Sequence, residues 1–264
     1  MSARTFYEAE GFTILNADAL STQAVAEESI NLIVTSPPYN VDIAYGSHDD
    51  GQSYGRYLEF SRQWLARAYR WLKRDGRMCL NIPLDKNKDG QQSVGADLTT
   101  IAKEEGFRYH STIVWNEGNI SRRTAWGSWM SASAPYVIAP VELIVVLYRE
   151  SWKRCSGSGK SDISRQDFMD WTNGLWTFNG ENRRTGHPAP FPLELPRRCI
   201  LLFSFSDDTV LDPFLGSGTT LVAATMCGRR GLGIEIDKGY CQLAKERLDA
   251  ELAKDALYRQ HGGT

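Results

Sequence analysis

Short apolar runs alternate with longer amphipathic stretches along this chain, and that alternation constrains the fold more than any other feature of the sequence. Each run has four to eight residues and is rich in Val, Ile and Leu. The runs lie at 12–16, 30–35, 77–82, 111–115, 141–148, 209–212 and 231–236. Runs of this kind are typical of parallel strands that are buried on both faces. The sequence therefore predicts an α/β fold, in which helices cover both faces of an open, mostly parallel sheet.

Helical spacing is clearest between the second and third runs. In 55–74, Tyr57 and Trp64 belong to an apolar set that recurs every three or four residues, and Gly76 is placed to end the helix. Three further helices are predicted at 192–204, 218–228 and 238–258.

Two stretches break this rhythm. Residues 116–140 and 150–190 are long, irregular and rich in Ser, Gly, Arg and Trp. Loops of that length in a compact domain are usually functional or mobile. The length of the chain suits one domain, 1–264, that carries these stretches as insertions.

Composition excludes several classes of protein. The chain is 42% hydrophobic and 23% charged, as is ordinary for a soluble globular protein, and no stretch approaches the roughly 18 apolar residues of a membrane span. The first 20 residues lack the apolar core and cleavage site of a signal peptide. The five cysteines and four histidines are scattered without metal-ligand spacing, so we expect a cytoplasmic protein without a metal site.

The stretch TVLDPFLGSGTTLVAA, residues 209–224, has the pattern of a strand, a glycine turn and the start of a helix. Gly216 and Gly218 allow a tight turn and a close approach of the backbone to a ligand. Glu235 follows about 20 residues later at a strand end, where dinucleotide-type sites place an acid on a ribose. The lysine of a phosphate-binding loop is missing, which disfavours nucleoside triphosphate hydrolysis. The pattern favours an adenosine-containing ligand without a demanding phosphate, such as S-adenosylmethionine.

The stretch TSPPYN, residues 35–40, directly follows the apolar run INLIV. Two consecutive prolines cannot donate to a strand ladder and have a fixed φ, so they end the strand in a stiff turn. This turn presents the Ser36 hydroxyl, carbonyls without a sheet partner and the Tyr39 ring. Such a turn suits a site that binds a flat ligand, although a Pro-Pro-Tyr turn in isolation can be purely structural.

Together these stretches resemble the DNA amino-methyltransferases, which transfer a methyl group from S-adenosylmethionine to an exocyclic nitrogen of a DNA base. TSPPY is similar to their catalytic motif, [DNS]PP[YFW], and LDPFLGSGTT is similar to their cofactor loop. The catalytic motif comes first, as in the circularly permuted beta group. Further elements of that group are resembled by LNADAL (15–20), GHPAPFPLELPRRCI (186–200) and GIEIDKGYCQLAKERL (233–248). The resemblance covers 12–150 and 186–250.

The resemblance implies the class I methyltransferase fold, a Rossmann-like sheet with an antiparallel hairpin at one edge, to which 141–148 contributes a strand. It also implies S-adenosylmethionine as the cofactor. The residues that it assigns to cofactor binding are Asp18, His187, Phe191, Asp212, Phe214, Gly216, Ser217, Gly218, Thr219 and Glu235. Asp18 could instead cap a helix start, and His187 and Phe191 could simply pack a proline-rich loop.

The chemistry expected at the prolines follows from the weakness of an exocyclic amine as a nucleophile. Its lone pair is delocalised into the ring, and acceptors that bind both amine hydrogens localise it and disperse the charge that develops on nitrogen. We expect Ser36 Oγ and the Pro37 carbonyl to be these acceptors, Pro38 to stiffen the turn and Tyr39 to stack on a flipped base. Methylation of a cytosine ring carbon is set aside, because it needs a cysteine nucleophile, characteristically after a proline, and none of the five cysteines follows one.

The basic part of the chain predicts the region that contacts DNA. Residues 119–165 hold seven Lys and Arg residues against three acids, whereas the whole chain has a net charge of −2. Within the resemblance, 116–140 and 151–185 are the inserted segments expected to read the DNA sequence. The predicted phosphate contacts are Arg122, Arg123, Lys153, Arg154 and Lys160. Each of them could also be an ordinary solvated charge.

The expected substrate is double-stranded DNA. A serine before Pro-Pro favours cytosine N4 as the target within the resemblance, and adenine N6 is the alternative, because either amine can donate to either acceptor. A non-catalytic nucleic-acid-binding module and an RNA methyltransferase are the competing interpretations of the whole chain. The resemblance is compatible with a homodimer and with a cognate restriction endonuclease, and the sequence requires neither.

Overall fold

The computed structural model describes residues 4–39, 53–87, 89–118, 127–137, 140–154, 159–180 and 192–260. The strands in these ranges are β1 (Arg4–Ala9), β2 (Phe12–Asn16), β3 (Ile30–Thr35), β4 (Leu72–Pro83), β5 (Lys86–Asn87), β6 (Gln91–Gln92), β7 (Arg108–Glu117), β8 (Val141–Tyr148), β9 (Leu175–Phe178), β10 (Thr209–Asp212) and β11 (Arg230–Glu235). The helices are α1 (Tyr54–Trp71), α2 (Val94–Glu104), α3 (Arg165–Trp171), α4 (Glu194–Phe203), α5 (Thr219–Met226) and α6 (Lys238–Gln260).

A sheet in the order β1-β2-β11-β10-β3-β4-β8-β7-β9 forms the centre of the molecule. The five strands from β2 to β4 in this order are parallel to one another. β8 runs antiparallel to both of its neighbours, β4 and β7, and so forms the hairpin implied by the resemblance. The expected fold, an open and mostly parallel sheet with an antiparallel hairpin towards one edge, is confirmed.

Helices pack on both faces of this sheet because the buried strands present apolar side chains on both. In β3, Ile33 belongs to a core shared with α1 and α2, whereas Leu32 and Val34 belong to a second core shared with α4, α5 and α6. Trp64 of α1 and Leu248 of α6 are fully buried in these two cores. No helix in the described ranges is both long and apolar enough to span a membrane.

The apolar runs were sufficient to predict the central strands. β2, β3, β8 and β10 have the predicted bounds, β4 and β7 are longer than predicted, and β11 is shifted by one residue. The first helix ends earlier than its periodicity predicted. Leu72 has extended backbone angles and pairs with Ile30, so residues 72–74 and the expected helix stop Gly76 lie in β4.

Some elements were not predicted. α2 was missed, and the stretch 150–190, which was expected to be irregular, contains α3 and β9. α3 is a short and mainly polar helix that begins where the Ser164 side chain caps the Asp167 N–H. β9 lies at the edge of the sheet, pairs with β7 alone and is only partly buried, so it lacks a continuous apolar run.

Candidate active site

Connections leave the centre of the sheet in opposite directions, and this creates a crevice. β3 continues through α1 to β4 on one side, and β10 continues through α5 to β11 on the other, although β3 and β10 are neighbours. In open α/β sheets, ligands bind at such a switch point, beyond the carboxyl ends of the strands. We call the end of the sheet where the parallel strands finish the carboxyl edge, and the end where they begin the amino edge. Neither term refers to the outermost strands. The TSPPY motif follows β3 and the glycine loop follows β10, so both motifs lie at the crevice.

Asp212, the last residue of β10, connects the two motifs. Its Oδ1 accepts hydrogen bonds from the Thr35 hydroxyl (2.8 Å) and the Phe214 N–H (3.0 Å), and its Oδ2 accepts one from the Thr220 hydroxyl (2.7 Å). Burial raises the pKa of Asp212 to about 6, and the three donors oppose that shift. Because Thr35 directly precedes Ser36, these contacts fix the proline turn against the glycine loop.

The glycine loop turns sharply between β10 and α5. Gly216 and Gly218 have φ angles of +50° and +85°, in the left-handed region that favours glycine. A Cβ on Gly218 would lie 2.9 Å from the Cβ of Ala244 in α6. Glycine at position 218 is therefore required by the backbone angle and by the packing of α6, which are separate reasons from the ligand approach expected from the sequence.

Glu235 ends β11 and holds the glycine loop in place. Its Oε2 accepts a hydrogen bond from the Gly216 N–H and its Oε1 accepts one from the Asp237 N–H, both at 2.8 Å. Burial raises the pKa of this carboxyl group, and the two backbone donors oppose the shift. Each carboxylate oxygen has capacity for a further hydrogen bond, so Glu235 can also accept from hydroxyl groups, as a ribose-binding acid must.

Asp18 follows β2, next to Glu235 in the sheet. β2 and β11 are neighbours, and the Ala17 N–H donates to the Glu235 carbonyl at 3.0 Å. The Asp18 carboxylate accepts hydrogen bonds from the Leu20 N–H (2.8 Å) and the Ser21 hydroxyl (3.3 Å). Asp18 therefore caps a turn at the carboxyl edge, and its contact with a cofactor adenine stays a prediction.

Two side chains predicted to bind the cofactor are engaged by α6. The Arg247 guanidinium donates to the Ser217 carbonyl and hydroxyl, both at 2.8 Å, and to the Thr219 hydroxyl at 3.1 Å. The Phe214 ring packs edge-on against Trp64 of α1, with centroids 5.4 Å apart. These contacts hold the loop between α1 and α6, and the binding roles of the three residues stay predictions.

The proline turn places its tyrosine hydroxyl in a polar group of four side chains, Ser36, Tyr39, Asn81 and Glu142, which we call the Tyr39 cluster. Ser36 Oγ lies 2.6 Å from the Tyr39 hydroxyl, Asn81 Nδ2 lies 2.7 Å from it and Glu142 Oε2 lies 3.0 Å from it. Asn81 Nδ2 also donates to Glu142 Oε2 at 2.6 Å. Lys86 Nζ donates to the Tyr39 carbonyl at 2.8 Å. Burial, and then the charge of Glu142, raises the pKa of Tyr39 well above its usual value.

The turn itself is well enclosed. Pro37 is buried, and Ser36, Pro38 and Tyr39 are half-buried. The Tyr39 ring packs against the core that contains α1 and α2. The acceptor roles of Ser36 and of the Pro37 carbonyl, and the stacking of Tyr39 on a base, stay predictions.

Sheet register brings Asn81 and Glu142 together, and neither residue was predicted from the sequence. The antiparallel pairing of β4 with β8 sets Pro83 opposite Glu142 and Asn81 opposite Ile144, so all four share one face at the carboxyl edge. A signal was present, because each is a polar residue inside an apolar run, RMCLNI or VELIVVLY. Lys86 and Arg247 carried no comparable signal.

Three predicted DNA contacts lie at the amino edge, away from the crevice. The buried Arg154 guanidinium donates to Asp208, which directly precedes β10, at 3.1 Å from Nη2 to Oδ1. The Lys160 N–H donates to the Ser206 hydroxyl at 3.0 Å, and the exposed Lys153 neighbours Arg154. The ion pair makes the Arg154 guanidinium unavailable to a phosphate, so its position does not support the predicted role. The local excess of basic residues did not distinguish the two edges.

The insertion at 116–140 leaves and rejoins the sheet at the carboxyl edge. β7 ends at Glu117 and β8 begins at Val141, and both ends lie on the crevice side because β7 runs parallel to β4. In its described part, the Tyr136 hydroxyl donates to Gln91 Oε1 of β6 at 3.2 Å. The position is compatible with the predicted recognition segment.

Some predicted site residues lie outside the described residues. They are Arg122, Arg123, His187 and Phe191. Of the second insertion, 151–185, the described part borders the amino edge before β9 returns the chain to the carboxyl edge beside Glu117. Among the described residues, no group of three His, Cys, Asp or Glu side chains is arranged to hold a metal ion.

Comparisons with known proteins agree with this geometry. Residues 30–246 match the family model N6_N4_Mtase, described as DNA methylase. The type II methyltransferase M.MjaVI of Methanocaldococcus jannaschii is 62% identical over 174 residues, which are 66% of this chain and 89% of that protein. TTHA0409 of Thermus thermophilus, solved in complex with S-adenosyl-L-methionine, is 30% identical with a TM-score of 0.69, over 89% of this chain and 91% of that one. The PvuII DNA methyltransferase, described as cytosine-N4-specific, shares the fold at 22% identity with a TM-score of 0.71, over 92% of this chain and 88% of that one.

Proposed function

The chain belongs to the N6/N4 DNA methylase family, and from that premise we propose that it methylates the exocyclic N4 of cytosine at a specific sequence in double-stranded DNA. It is an S-adenosylmethionine-dependent DNA methyltransferase that acts on an exocyclic amine. The choice of cytosine depends on Ser36, whose hydroxyl lies 2.6 Å from Tyr39 at the head of the proline turn. Within the resemblance, a serine at this place is more common among the cytosine-N4 enzymes.

The crevice suits S-adenosylmethionine by the chemistry of its groups. When bound, this cofactor supplies a methyl group that is activated by a positively charged sulfur. We assign the ribose hydroxyls to Glu235, whose carboxylate retains acceptor capacity at the end of β11. The left-handed loop at Gly216 and Gly218 lets the backbone approach closely, and Asp18 on the neighbouring strand end is assigned to the adenine.

The proline turn acts on the amine of the target base. Ser36 Oγ and the Pro37 carbonyl accept the two amine hydrogens, which localises the nitrogen lone pair and disperses the positive charge that develops during attack. The bond from Thr35 to Asp212 and the rigidity of Pro37 and Pro38 keep these acceptors in place, so little reorganisation accompanies the reaction. The base must leave the duplex to reach this enclosed turn.

Adenine N6 is the second candidate. Its amine can donate to the same two acceptors, and stacking on Tyr39 tolerates either base. Reading of the DNA sequence is assigned to the insertion at 116–140, because this segment leaves and rejoins the sheet at the carboxyl edge. The similarity to a type II methyltransferase supports a cognate restriction endonuclease as a functional partner. The expectation of a homodimer is tested by measuring the mass of the protein in solution.

One experiment identifies the target. Purified protein is incubated with S-adenosylmethionine that carries a deuterated methyl group and, in parallel reactions, with bacterial genomic DNA or with total RNA, and each nucleic acid is digested to nucleosides for mass spectrometry. We expect labelled N4-methylcytosine, and sequencing of the modified DNA then gives the recognition sequence. Labelled N6-methyladenine would replace the proposed base with the second candidate. Label in RNA alone, or cofactor binding without any transfer, would favour an RNA methyltransferase or a non-catalytic module.

A further inference from the structure

The hydrogen-bond partners of the Tyr39 hydroxyl determine the direction of each proton in the Tyr39 cluster. The amide nitrogen of Asn81 can only donate, and the carboxylate of Glu142 can only accept. With these atoms at 2.7 Å and 3.0 Å, Tyr39 accepts from Asn81 and donates to Glu142. The opposite orientation of the Asn81 amide would set two oxygens 2.6 Å apart. A second acceptor, the main-chain carbonyl oxygen of Asn81, lies further from the Tyr39 hydroxyl, at 3.3 Å.

The direction of the Ser36 proton follows from this arrangement. The remaining lone pair of the Tyr39 oxygen accepts from the Ser36 hydroxyl at 2.6 Å. Ser36 thus donates its proton into the cluster, and its own lone pairs remain available to accept from an amine. Stacking on a base needs only the Tyr39 ring, so its hydroxyl is available for a second role.

We propose that Ser36, Tyr39 and Glu142 form a proton relay that removes the proton lost by the amine during methylation. The proposal rests on the proposed function, because it needs Ser36 to accept an amine hydrogen. As the nitrogen bonds to the methyl carbon and the methyl–sulfur bond breaks, the nitrogen is left with one proton too many. That proton moves to Ser36 Oγ, the Ser36 proton moves to the Tyr39 oxygen, and the Tyr39 proton moves to Glu142 Oε2. Ser36 and Tyr39 end neutral, and Glu142 ends as a carboxylic acid.

The position of Glu142 suits the end of such a relay. It lies near the start of β8, between Pro83 of β4 and Trp115 of β7, so rigid strands hold it on both sides. It is half-buried, and it can therefore return the proton to water before the next turnover. Burial raises the pKa of Tyr39, so the hydroxyl passes one proton on as it receives another and does not ionise. Glu142 acts through Tyr39 and Ser36, which makes it a positioning residue and proton acceptor that does not touch the base.

The relay is tested by single-turnover methyl transfer at saturating S-adenosylmethionine and DNA. Glu142→Gln keeps the shape of the side chain and removes the proton acceptor, and Tyr39→Phe keeps the ring and removes the hydroxyl. We expect each variant to transfer methyl about 100-fold more slowly, in the range of general acid–base effects. The KM for DNA and the Kd for S-adenosylmethionine should stay within about twofold of the wild type, because Glu142 is not assigned to binding and Tyr39→Phe keeps the ring that stacks on the base. The double variant should be at most about threefold slower than the slower of the two single variants, because both substitutions interrupt the same proton path.

Two further variants separate the relay from a structural effect. Glu142→Asp restores a carboxylate and should recover at least about tenfold of the rate lost in Glu142→Gln. Glu150→Gln makes the same chemical change just beyond the other end of β8, where Glu150 pairs with Arg74, and should transfer at the wild-type rate. A rate for Glu142→Gln close to wild type, or losses that multiply in the double variant, would overturn the relay. Transfer to adenine by the wild type would overturn only the proposed base, so the two proposals fail separately.

Discussion

At the scale of single residues, the buried carboxyl of Asp212 links stability to pH. Its pKa is raised from 3.8 to about 6, so the folded state binds more protons than the unfolded state between these values. The contribution of Asp212 to the free energy of unfolding therefore falls as the pH rises from about 4 to about 6. We expect Asp212→Asn to remove this dependence, since asparagine can accept from Thr35 and donate to Thr220. Near neutral pH the variant should be up to about 3 kcal/mol more stable than the wild type.

Urea unfolding of both proteins at several pH values checks this expectation. The difference in the free energy of unfolding, variant minus wild type, should grow as the pH rises through the window from about 4 to about 6 and then level off. A difference that is independent of pH would mean that Asp212 titrates in the folded state as it does in the unfolded chain.

Ser36 provides a second test at this scale. Its hydroxyl is proposed to accept a hydrogen bond from the amine of the target base, and no contact with the cofactor is assigned to this residue. We expect Ser36→Ala to lower the turnover number by about 100-fold, comparable to removing one preorganised hydrogen-bond partner from a transition state. The Kd for S-adenosylmethionine should change by less than about twofold, since Thr35 and Asp212 still join the two loops. Turnover with DNA and equilibrium dialysis with the cofactor measure the two quantities.

The matched control is Ser151→Ala, which removes an exposed hydroxyl at the amino edge that donates to the Lys153 carbonyl. It should leave both quantities unchanged. Equal losses of turnover and of cofactor affinity in Ser36→Ala would contradict the role assigned to that hydroxyl.

At the scale of elements, the glycine loop and α6 form one unit. Gly218 and Gly228 both have positive φ angles, +85° and +66°. A Cβ on Gly218 would lie 2.9 Å from Ala244 Cβ, whereas a Cβ on Gly228 meets nothing within 4 Å. Both Gly→Ala substitutions therefore carry the cost of a left-handed alanine, about 1–2 kcal/mol, and only Gly218→Ala also displaces α6 from the loop.

We accordingly expect Gly228→Ala to lower the free energy of unfolding with little effect on cofactor affinity. Gly218→Ala should lower the free energy of unfolding further, by about another 1–3 kcal/mol for the overpacking, and should weaken S-adenosylmethionine binding at least tenfold. Denaturant unfolding and calorimetric titration of both variants give the comparison. Similar cofactor affinities for the two variants would show that contact with α6 does not shape the binding loop.

Elements buried on both faces could be predicted from the sequence, and those at the periphery could not. β3 and β10 are short apolar runs bounded by polar residues or by proline, so their bounds followed from the local sequence pattern. The end of α1 did not, because the helical periodicity continues past Trp71 while Leu72 already pairs with Ile30 of β3. That pairing is a tertiary contact, and local periodicity carries no information about it.

The same distinction applies to the site. The proline turn and the glycine loop are contiguous in sequence, so their motifs could be recognised. Glu142 reaches Tyr39 through the register of β8 against β4, across 103 positions of the chain. Its only local signal was an acid near the start of an apolar strand, and such a signal does not name the partner.

At the scale of the whole molecule, the basic residues divide between the two edges of the sheet. Two arginines at the amino edge form structural ion pairs: Arg154 pairs with Asp208, and Arg229, which directly precedes β11, pairs with Asp162 at 2.7 Å. Breaking such partly buried pairs would leave a charge without compensation. Net charge along the sequence thus counts structural ion pairs together with groups that could meet DNA.

Basic residues at the two edges are expected to affect the salt dependence of DNA binding differently. Arg122 and Arg123 belong to the insertion that leaves the sheet at Glu117, on the crevice side, whereas Lys153 and Lys160 are exposed at the amino edge. Arg122→Ala/Arg123→Ala and Lys153→Ala/Lys160→Ala each remove two positive charges, so the net charge of the two double variants is the same. The logarithm of the binding constant, log K, falls as log salt concentration rises. Removing one phosphate-binding charge should reduce the magnitude of this slope by about 0.9. We expect the arginine double variant to make this negative slope shallower by up to about 2, and the lysine double variant to leave it unchanged. Fluorescence anisotropy of a labelled duplex over a range of salt concentrations measures both slopes. Equal reductions in both pairs would mean that DNA responds to the overall charge of the protein, and a reduction confined to the lysine pair would place the bound duplex at the amino edge, away from Ser36.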